Sequence, residues 1–324
     1  MKRSTKIISL FLVIMIVLTG LVACGGKEPA NEQEPPVEDP QDEVVDEEET
    51  DGFPLEIEDA FGNKVTLEKA PERIISLAPS HTEILFALGL GEKIVGVTSF
   101  CDYPEEALEV EKIGDFSGMN FEKIIELEPD LIVNYGELNE DDSKVYSEAG
   151  IPVLCYMPES IDEVLETITQ IALATGAVEE GESLTKSMVE KRDEIVNKVK
   201  DTEKVRVFYE IWHEPLQAAG AGSFVDGLIE LANGDNVARD AEGMYPNYDM
   251  EQLIENDPEV YLTSIDVPEK TAESIAARPG YDEITAIKNG EIYLLDGNIM
   301  SRPGPRIIEA LELIAKTIHP EVFE

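Results

Sequence analysis

One stretch of this chain occurs twice, and the recurrence narrows the folds open to it. Asn120-Phe121-Glu122-Lys123-Ile124-Ile125-Glu126-Leu127-Glu128-Pro129-Asp130-Leu131-Ile132-Val133 returns as Asp249-Met250-Glu251-Gln252-Leu253-Ile254-Glu255-Asn256-Asp257-Pro258-Glu259-Val260-Tyr261-Leu262. The copies share a Glu at the third position, Ile at the sixth, Glu at the seventh and Pro at the tenth. Each sets apolar residues at helical spacing, then places Pro among acids, then runs apolar: a short helix, a turn and a buried strand. Two such units predict an α/β chain built as two related lobes.

The flanking sequence fits that plan. Apolar runs at 73–78, 94–98, 131–135, 153–156, 205–211 and 292–295 alternate with helical patterns, which implies parallel sheets of βα units. Residues 55–57 and 65–67 flank Asp59-Ala60-Phe61-Gly62-Asn63, a hairpin signal. Ser80-His81-Thr82-Glu83 reads as a capping box opening a helix from Ile84 to Leu88, and Ser160 to Glu163 as a second, opening a helix to about Thr175. Val178 to Lys200 then runs without Pro, and its single Gly is Gly181. Some 20 helical residues cross about 30 Å, the width of a small domain. This helix could be one more crossover packed on a sheet; its length and its place between the repeats favour a spine joining the lobes. The expected organisation is a leader over 1–23, a tether over 24–52, a first lobe over 53–176, the spine over 177–203 and a second lobe over 204–324.

The leader and tether have their own signatures. A basic start (Lys2, Arg3, Lys6), an apolar run from Ile7 to Leu18 and small residues before Cys24 describe an exported chain, the apolar run being short for a membrane span. Leu21-Val22-Ala23-Cys24-Gly25 resembles a bacterial lipobox, which implies cleavage before Cys24 and acylation of its sulfur. Residues 27–52 hold twelve acids against Lys27 and are rich in Pro, as in a disordered, self-repelling tether. Across the chain 69 Asp and Glu face 25 Lys and Arg, a net charge of −44. That balance excludes nucleic acid as a partner, because binding phosphates needs clustered cations. Cys101 and Cys155 have no framework spacing and are expected as separate thiols.

In open parallel sheets ligands sit beyond the C-terminal ends of the strands. The residues there are Phe100 and Tyr103, Phe116, Tyr135, Trp212 and His213, Tyr245, and Asn298 to Arg302. Aromatics make up only 6% of the chain, so their gathering on strand-end loops points to an apolar cleft wall for a bulky ligand. His81 and His213 would each open a helix at the mouth of one sheet. They are read either as polar rim groups or as axial contacts to a metal centre carried in by the ligand. His319 is expected at the surface. Catalytic readings fare worse: Ser80 lacks a nucleophile-elbow context, Gly220-Ala221-Gly222 is half a dinucleotide fingerprint, and there is no Walker run, zinc motif or HExxH.

Pro71 to Gly89 (PERIISLAPSHTEILFALG), Cys101-Asp-Tyr-Pro104, Gly118 to Glu122, Gly222-Ser-Phe224, Asn233 to Asn236 and Ser301 to Arg306 (SRPGPR) carry a resemblance. Together they resemble the iron-siderophore/cobalamin class of ABC-transporter substrate-binding proteins over roughly residues 55–322, most nearly the vitamin B12-binding members. The resemblance implies a class III periplasmic-binding-protein fold, two Rossmann-like lobes on one long helix, and no enzyme activity. It implies a monomer with no cofactor of its own. The metal chelate is cargo, and the partners are an importer permease with its ATPase and the membrane through a lipid anchor. It assigns Phe100, Phe116, Tyr135, Tyr245 and Arg302 to the ligand, where the strand-end position adds Trp212, and Glu122 and Glu251 to docking on permease arginines. Phe or Tyr stands at several places where the family has Trp, Asn298 replaces an acid, and Ile211 replaces an aromatic. Haem, another corrinoid or a ferric siderophore therefore stay open as alternatives to cobalamin. A basic cluster of Arg278, Arg302 and Arg306 would suit an anionic siderophore. A metal-dependent hydrolase or redox enzyme of similar build is the reading from another class. The single spine predicts limited closure of the lobes.

Overall fold

A computed structural model describes residues 52–265 and 270–323. The leader, Cys24 and nearly all of the tether lie outside them. The first lobe opens with the hairpin β1 (Leu55–Glu58) and β2 (Lys64–Leu67), then β3 (Ile74–Ser76), α1 (Pro79–Ala87) and β4 (Ile94–Val97). A two-stranded turn, β5 (Gly114–Asp115) and β6 (Gly118–Met119), leads to α2 (Phe121–Glu126), β7 (Leu131–Tyr135), α3 (Glu140–Glu148), β8 (Val153–Tyr156) and α4 (Ile161–Thr175). The long helix α5 (Val178–Val199) follows. The second lobe comprises β9 (Val205–His213), β10 (Leu216–Ala218), α6 (Phe224–Leu231), β11 (Gly234–Asn236), α7 (Met250–Asn256) and β12 (Val260–Ile265). It ends with α8 (Ala272–Ala276), α9 (Thr285–Asn289), β13 (Ile292–Asp296), α10 (Gly297–Met300) and α11 (Ile307–Ile318).

The duplication extends through the sheets. The first is ordered β4-β3-β7-β8, all parallel. The second repeats that order as β11-β9-β12-β13, also parallel, with β10 added antiparallel along the last residues of β9. The repeat occupies the same place in both. Asn120 and Asp249 cap α2 and α7 through their side chains, and Ile124 and Leu253 are buried beneath. Glu128 and Asp257, each just before the repeat's Pro, both take positive φ (44° and 38°). A following Pro disfavours the α conformation, so each helix must end there. An arginine at the start of each first strand holds the turn: Arg73 Nε donates to the Leu127 carbonyl at 2.9 Å, and Arg206 Nε to that of Asp257 at 3.0 Å. The backbone N–H groups of the same arginines reach the repeat's next acid, Asp130 at 2.9 Å and Glu259 at 3.0 Å.

Strand residues alternate between two cores. Ile74, Leu131, Val133, Val207, Val260 and Leu262 join one large cluster that runs continuously through both lobes. The residues between them, Ile75 and Ile132, Phe208 and Tyr261, fill a separate core on the outer face of each sheet. Both faces of each sheet are therefore buried, which explains the near-continuous apolar strands. The shared cluster passes through α5, which packs on α4 and on α11 and buries Met188, Ile195 and Val199.

Three local expectations are corrected. Ser80 is no cap, because Pro79 already occupies the first turn of α1 and Ala78 is its N-cap, without a side-chain bond. The Ser160 cap holds, but the Glu163 carboxylate turns to the Glu159 N–H at 2.7 Å instead of closing a box on Ser160. His319 is buried, its Nε2 3.2 Å from the Thr202 hydroxyl, because α11 folds back onto the end of α5.

Gly181 marks the crossing of α4 and α5: a Cβ there would stand 2.5 Å from the Cβ of Ala172. Gly181→Ala should gain up to about 1 kcal/mol of helix propensity and lose about 1–3 to overpacking. A net loss of stability is the expected outcome, read as a lower urea midpoint with an unchanged slope.

Candidate functional site

Strand ends from both sheets converge on one cavity of about 310 Å³. Tyr135, at the end of β7, and Met157 to Glu159, after β8, wall it from the first lobe. Tyr209, Ile211, Phe224 and Met244-Tyr245 wall it from the second, with Ser301 and Pro303 beneath. Its lining is mostly aromatic, aliphatic and thioether, and among the described residues Glu159 is its one carboxylate. Burial pushes the Tyr135 and Tyr245 phenols up, with the Glu159 charge as a further cause for both. Both therefore stay protonated donors at neutral pH.

Phe100 and Phe116 stand on the first-lobe loops, 50% and 69% exposed, with rings stacked at 5.1 Å and 18°. Two large exposed aromatic faces in contact with each other are an unusual use of apolar surface. Trp212 is placed elsewhere. Side chains alternate along β9, so Tyr209 and Ile211 face the central cavity. Trp212 lines a separate depression of about 580 Å³ in the second lobe, with His213, Lys270 and Arg278. Its indole N–H donates to the Glu214 carbonyl at 2.9 Å. Lying beyond a strand end was too coarse a criterion there, because the last residues of β9, Trp212 and His213, pair with β10 and line the second-lobe depression instead. His213 does not open a helix either; it ends β9 in the turn to β10.

The expected basic cluster is not assembled. Arg278 pairs with buried Glu210 in the second lobe. Burial would raise that carboxyl, but hydrogen bonds from Arg278 and the Tyr261 hydroxyl, with Lys270 nearby, hold it below its usual range. Arg302 and Arg306 close instead on Glu83 of α1, across the lobes. Arg306 approaches its two oxygens at 2.9 and 2.6 Å, and Arg302 stands 3.3 Å away. The Glu83 side chain is 2% exposed. Arg302 also meets Asp102 at 2.6 Å, the Asn298 side-chain oxygen at 2.7 Å and the Phe100 carbonyl at 3.4 Å. The Arg302 guanidinium holds the Asp102 carboxyl below its usual range. Sequence reading missed Glu83 and Asp102, having taken the first for a helix cap.

His81 is enclosed within the protein. Among the described residues neither ring nitrogen has a partner, and the Tyr135 and Tyr156 rings stand 5.8 and 6.2 Å away. It does not present itself to the cleft. Cys101 and Cys155 are both free and buried. Among the described residues no three His, Cys, Asp or Glu side chains gather as a metal site.

Residues 74–299 match the periplasmic binding protein family. The chain belongs to that family. Its members are substrate-binding proteins of ABC transporters rather than enzymes, and both sheets above have the parallel α/β form of their class III fold. The chain is 34% identical to an uncharacterised ABC transporter substrate-binding lipoprotein of Bacillus subtilis, YvrC, over all of both chains. Its fold is similar to the periplasmic vitamin B12-binding protein of Vibrio cholerae (28% identity, TM-score 0.66, 78% of this chain and 98% of that one). It is similar too to a periplasmic haem-binding protein of Roseiflexus sp. RS-1 (28%, TM-score 0.70, 78% and 99%).

Burial pushes the His81 imidazole from 6.5 down to about 3. The unfolded chain therefore takes up a proton near pH 6.5 that the folded one refuses. Stability present above that pH is lost as pH falls toward 3, at up to about 1.4 kcal/mol per pH unit. A His81→Phe variant should lose less melting temperature than wild type between pH 7 and 4; parallel curves would show that His81 adds nothing.

Proposed function

We propose that this chain is a lipid-anchored, extracytoplasmic protein that binds a corrinoid, with cobalamin as the preferred form, and delivers it to an ABC importer. The observation that carries the reading is the cleft wall: Tyr135, Ile211 and Tyr245 around the cavity, with the Phe100–Phe116 stack beside the lobe junction. Arg302 and Arg306, the arginines beside it, are already engaged by carboxylates. An anionic ferric catecholate would need unspent cations, whereas a corrinoid offers a broad apolar face with amide edges. It is larger than the cavity, so in this reading it lies across the mouth with one face inserted. Similarity to vitamin B12-binding proteins supports the same choice. Haem is the second reading, favoured by the similarity to a haem-binding protein and by the two protonated tyrosines facing one cavity. Calorimetric titration with cyanocobalamin, haemin and a ferric hydroxamate separates these. Cyanocobalamin should bind, and Tyr245→Ala should weaken it about 5–10-fold, the loss of roughly 1 kcal/mol of aromatic contact. Heat with haemin alone would transfer the assignment to haem.

Glu122 and Glu251 are the proposed docking pair. Each is exposed at the second residue of its repeat helix, α2 or α7, and among the described residues neither has a cation within 4 Å. An exposed ion pair contributes about 0–1 kcal/mol, so two would orient a reversible encounter rather than supply its strength. In cells, the double variant Glu122→Ala with Glu251→Ala should abolish uptake and leave ligand affinity intact; reduced affinity would put those acids in the cleft. In the same cells Cys24→Ser should release the protein from the membrane fraction, and its retention there would count against the lipid anchor.

A further inference from the structure

The loop that carries Phe100 is fastened by both lobes in alternation. The first lobe holds Ser99 and Cys101: the Ser99 N–H donates to the Gly114 carbonyl at 2.9 Å. The buried Cys101 sulfur lies 3.1 and 3.2 Å from the hydroxyls of Thr82 and Thr98, and Lys112 donates to the Cys101 carbonyl at 3.0 Å. The second lobe holds the rest through two arginines of the segment before α11. Arg302 binds the Phe100 carbonyl and the Asp102 carboxylate. Arg306 lies over the Tyr103 ring, its guanidinium carbon 4.0 Å from the centroid. Charge-assisted bonds of this kind are short and directional, and a guanidinium over an aromatic face adds to the hold. The Ser99–Gly114 bond also joins this loop to the β5–β6 turn that carries Phe116.

We infer that Asp102 and Arg302 are positioning residues for the aromatic wall: the Asp102–Arg302 pair, made across the lobes, sets the Phe100–Phe116 stack that receives the ligand. This goes further than the corrinoid reading, on which it rests only for the identity of the ligand. Arg302 is 11% exposed in its side chain, and its terminal nitrogens have four protein acceptors within 3.4 Å. It acts on the ligand through the loop and does not bind it. The wall is therefore complete only when the second lobe is in place, and bulky ligands that touch the stack are selected by contacts they never make. Asp102 is the sensitive partner because its own side chain is half exposed and the cation it bonds is Arg302, at 2.6 Å.

The test uses the full chain and begins without ligand. Trp212 is the sole tryptophan, so Trp212→Phe with Phe100→Trp leaves one indole on the loop. Adding Asp102→Asn should raise its acrylamide quenching constant about twofold and lower its anisotropy, as expected for a loop released on the nanosecond scale. Asp102→Glu, which keeps the charge, should recover much of the parent signal, a rescue that simple destabilisation would not give. Unchanged quenching in Asp102→Asn overturns the inference. Should Asp102→Asn melt early, Arg302→Lys provides the second reading, since a point charge cannot serve the same acceptors at once. In the otherwise native chain, Asp102→Asn should weaken cyanocobalamin about 5–10-fold through lost preorganisation; equal affinity there also overturns the inference. Failure of the wild-type protein to bind cyanocobalamin would remove the corrinoid reading, while the fluorescence arm would still decide the role of Asp102.

Discussion

The Glu83 carboxylate has almost no access to water, and the charges that answer it come from the other lobe. Burying an ion without partners costs several kcal/mol, and breaking a buried pair by removing one member costs about 3–5. Arg306 meets it through two nitrogens and Arg302 through one. The junction of the lobes is thereby fixed at a point next to the cleft, and much of the site follows from it. α1 keeps its place over β3, the SRPGPR segment is drawn across to the first lobe, and the Phe100 loop finds its anchors. The clasp also removes two cations from the ligand's surroundings. What the described residues leave around the cavity is mostly aromatic rings, aliphatic groups and thioethers, with the Glu159 carboxylate, a surface for shape and apolar contact more than for charge.

Much of this was legible in the sequence, for definable reasons. The repeat was visible because its helix, Pro and strand are local, and local patterns survive in a single chain. Its deeper symmetry was not. That Arg73 and Arg206 perform the same office, each gripping the turn after its repeat helix and each bonded to the following acid, depends on pairs more than 50 residues apart. The spine was readable from length and the absence of Pro. The cap assigned to Ser80 failed because Pro79 is itself well suited to the first turn of a helix, so the helix starts earlier than the Ser suggests. Glu83 was thereby misread as a partner for Ser80, when its true partners lie some 220 residues on.

Around the cavity, strand-end position gathered the aromatics as a group but carried no information on which way each faces. Tyr135 and Tyr245 line the cavity, whereas Trp212, at the end of β9 where it pairs with β10, looks into another depression. A nine-residue strand that outruns its neighbours can present either face at its end, and composition carries no sign of which. His81 illustrates the reverse case. A polar residue at the mouth of a sheet was expected to meet ligand or solvent, yet it packs inside α1 behind Tyr135 as a neutral ring. Its environment is set by Tyr135 and Tyr156, which come from two other strands.

The two lobes repeat one another in strand order, helix caps and turn chemistry, yet they are not two self-sufficient bodies. α5 covers α4 on one side and α11 on the other, and the large apolar cluster runs through it without a break. A cut at either end of that helix would leave one half with its lining and the other with a bare hydrophobic flank. Symmetry of plan has been kept while autonomy has been surrendered: a doubled architecture has become, through one shared wall, a single indivisible folding unit.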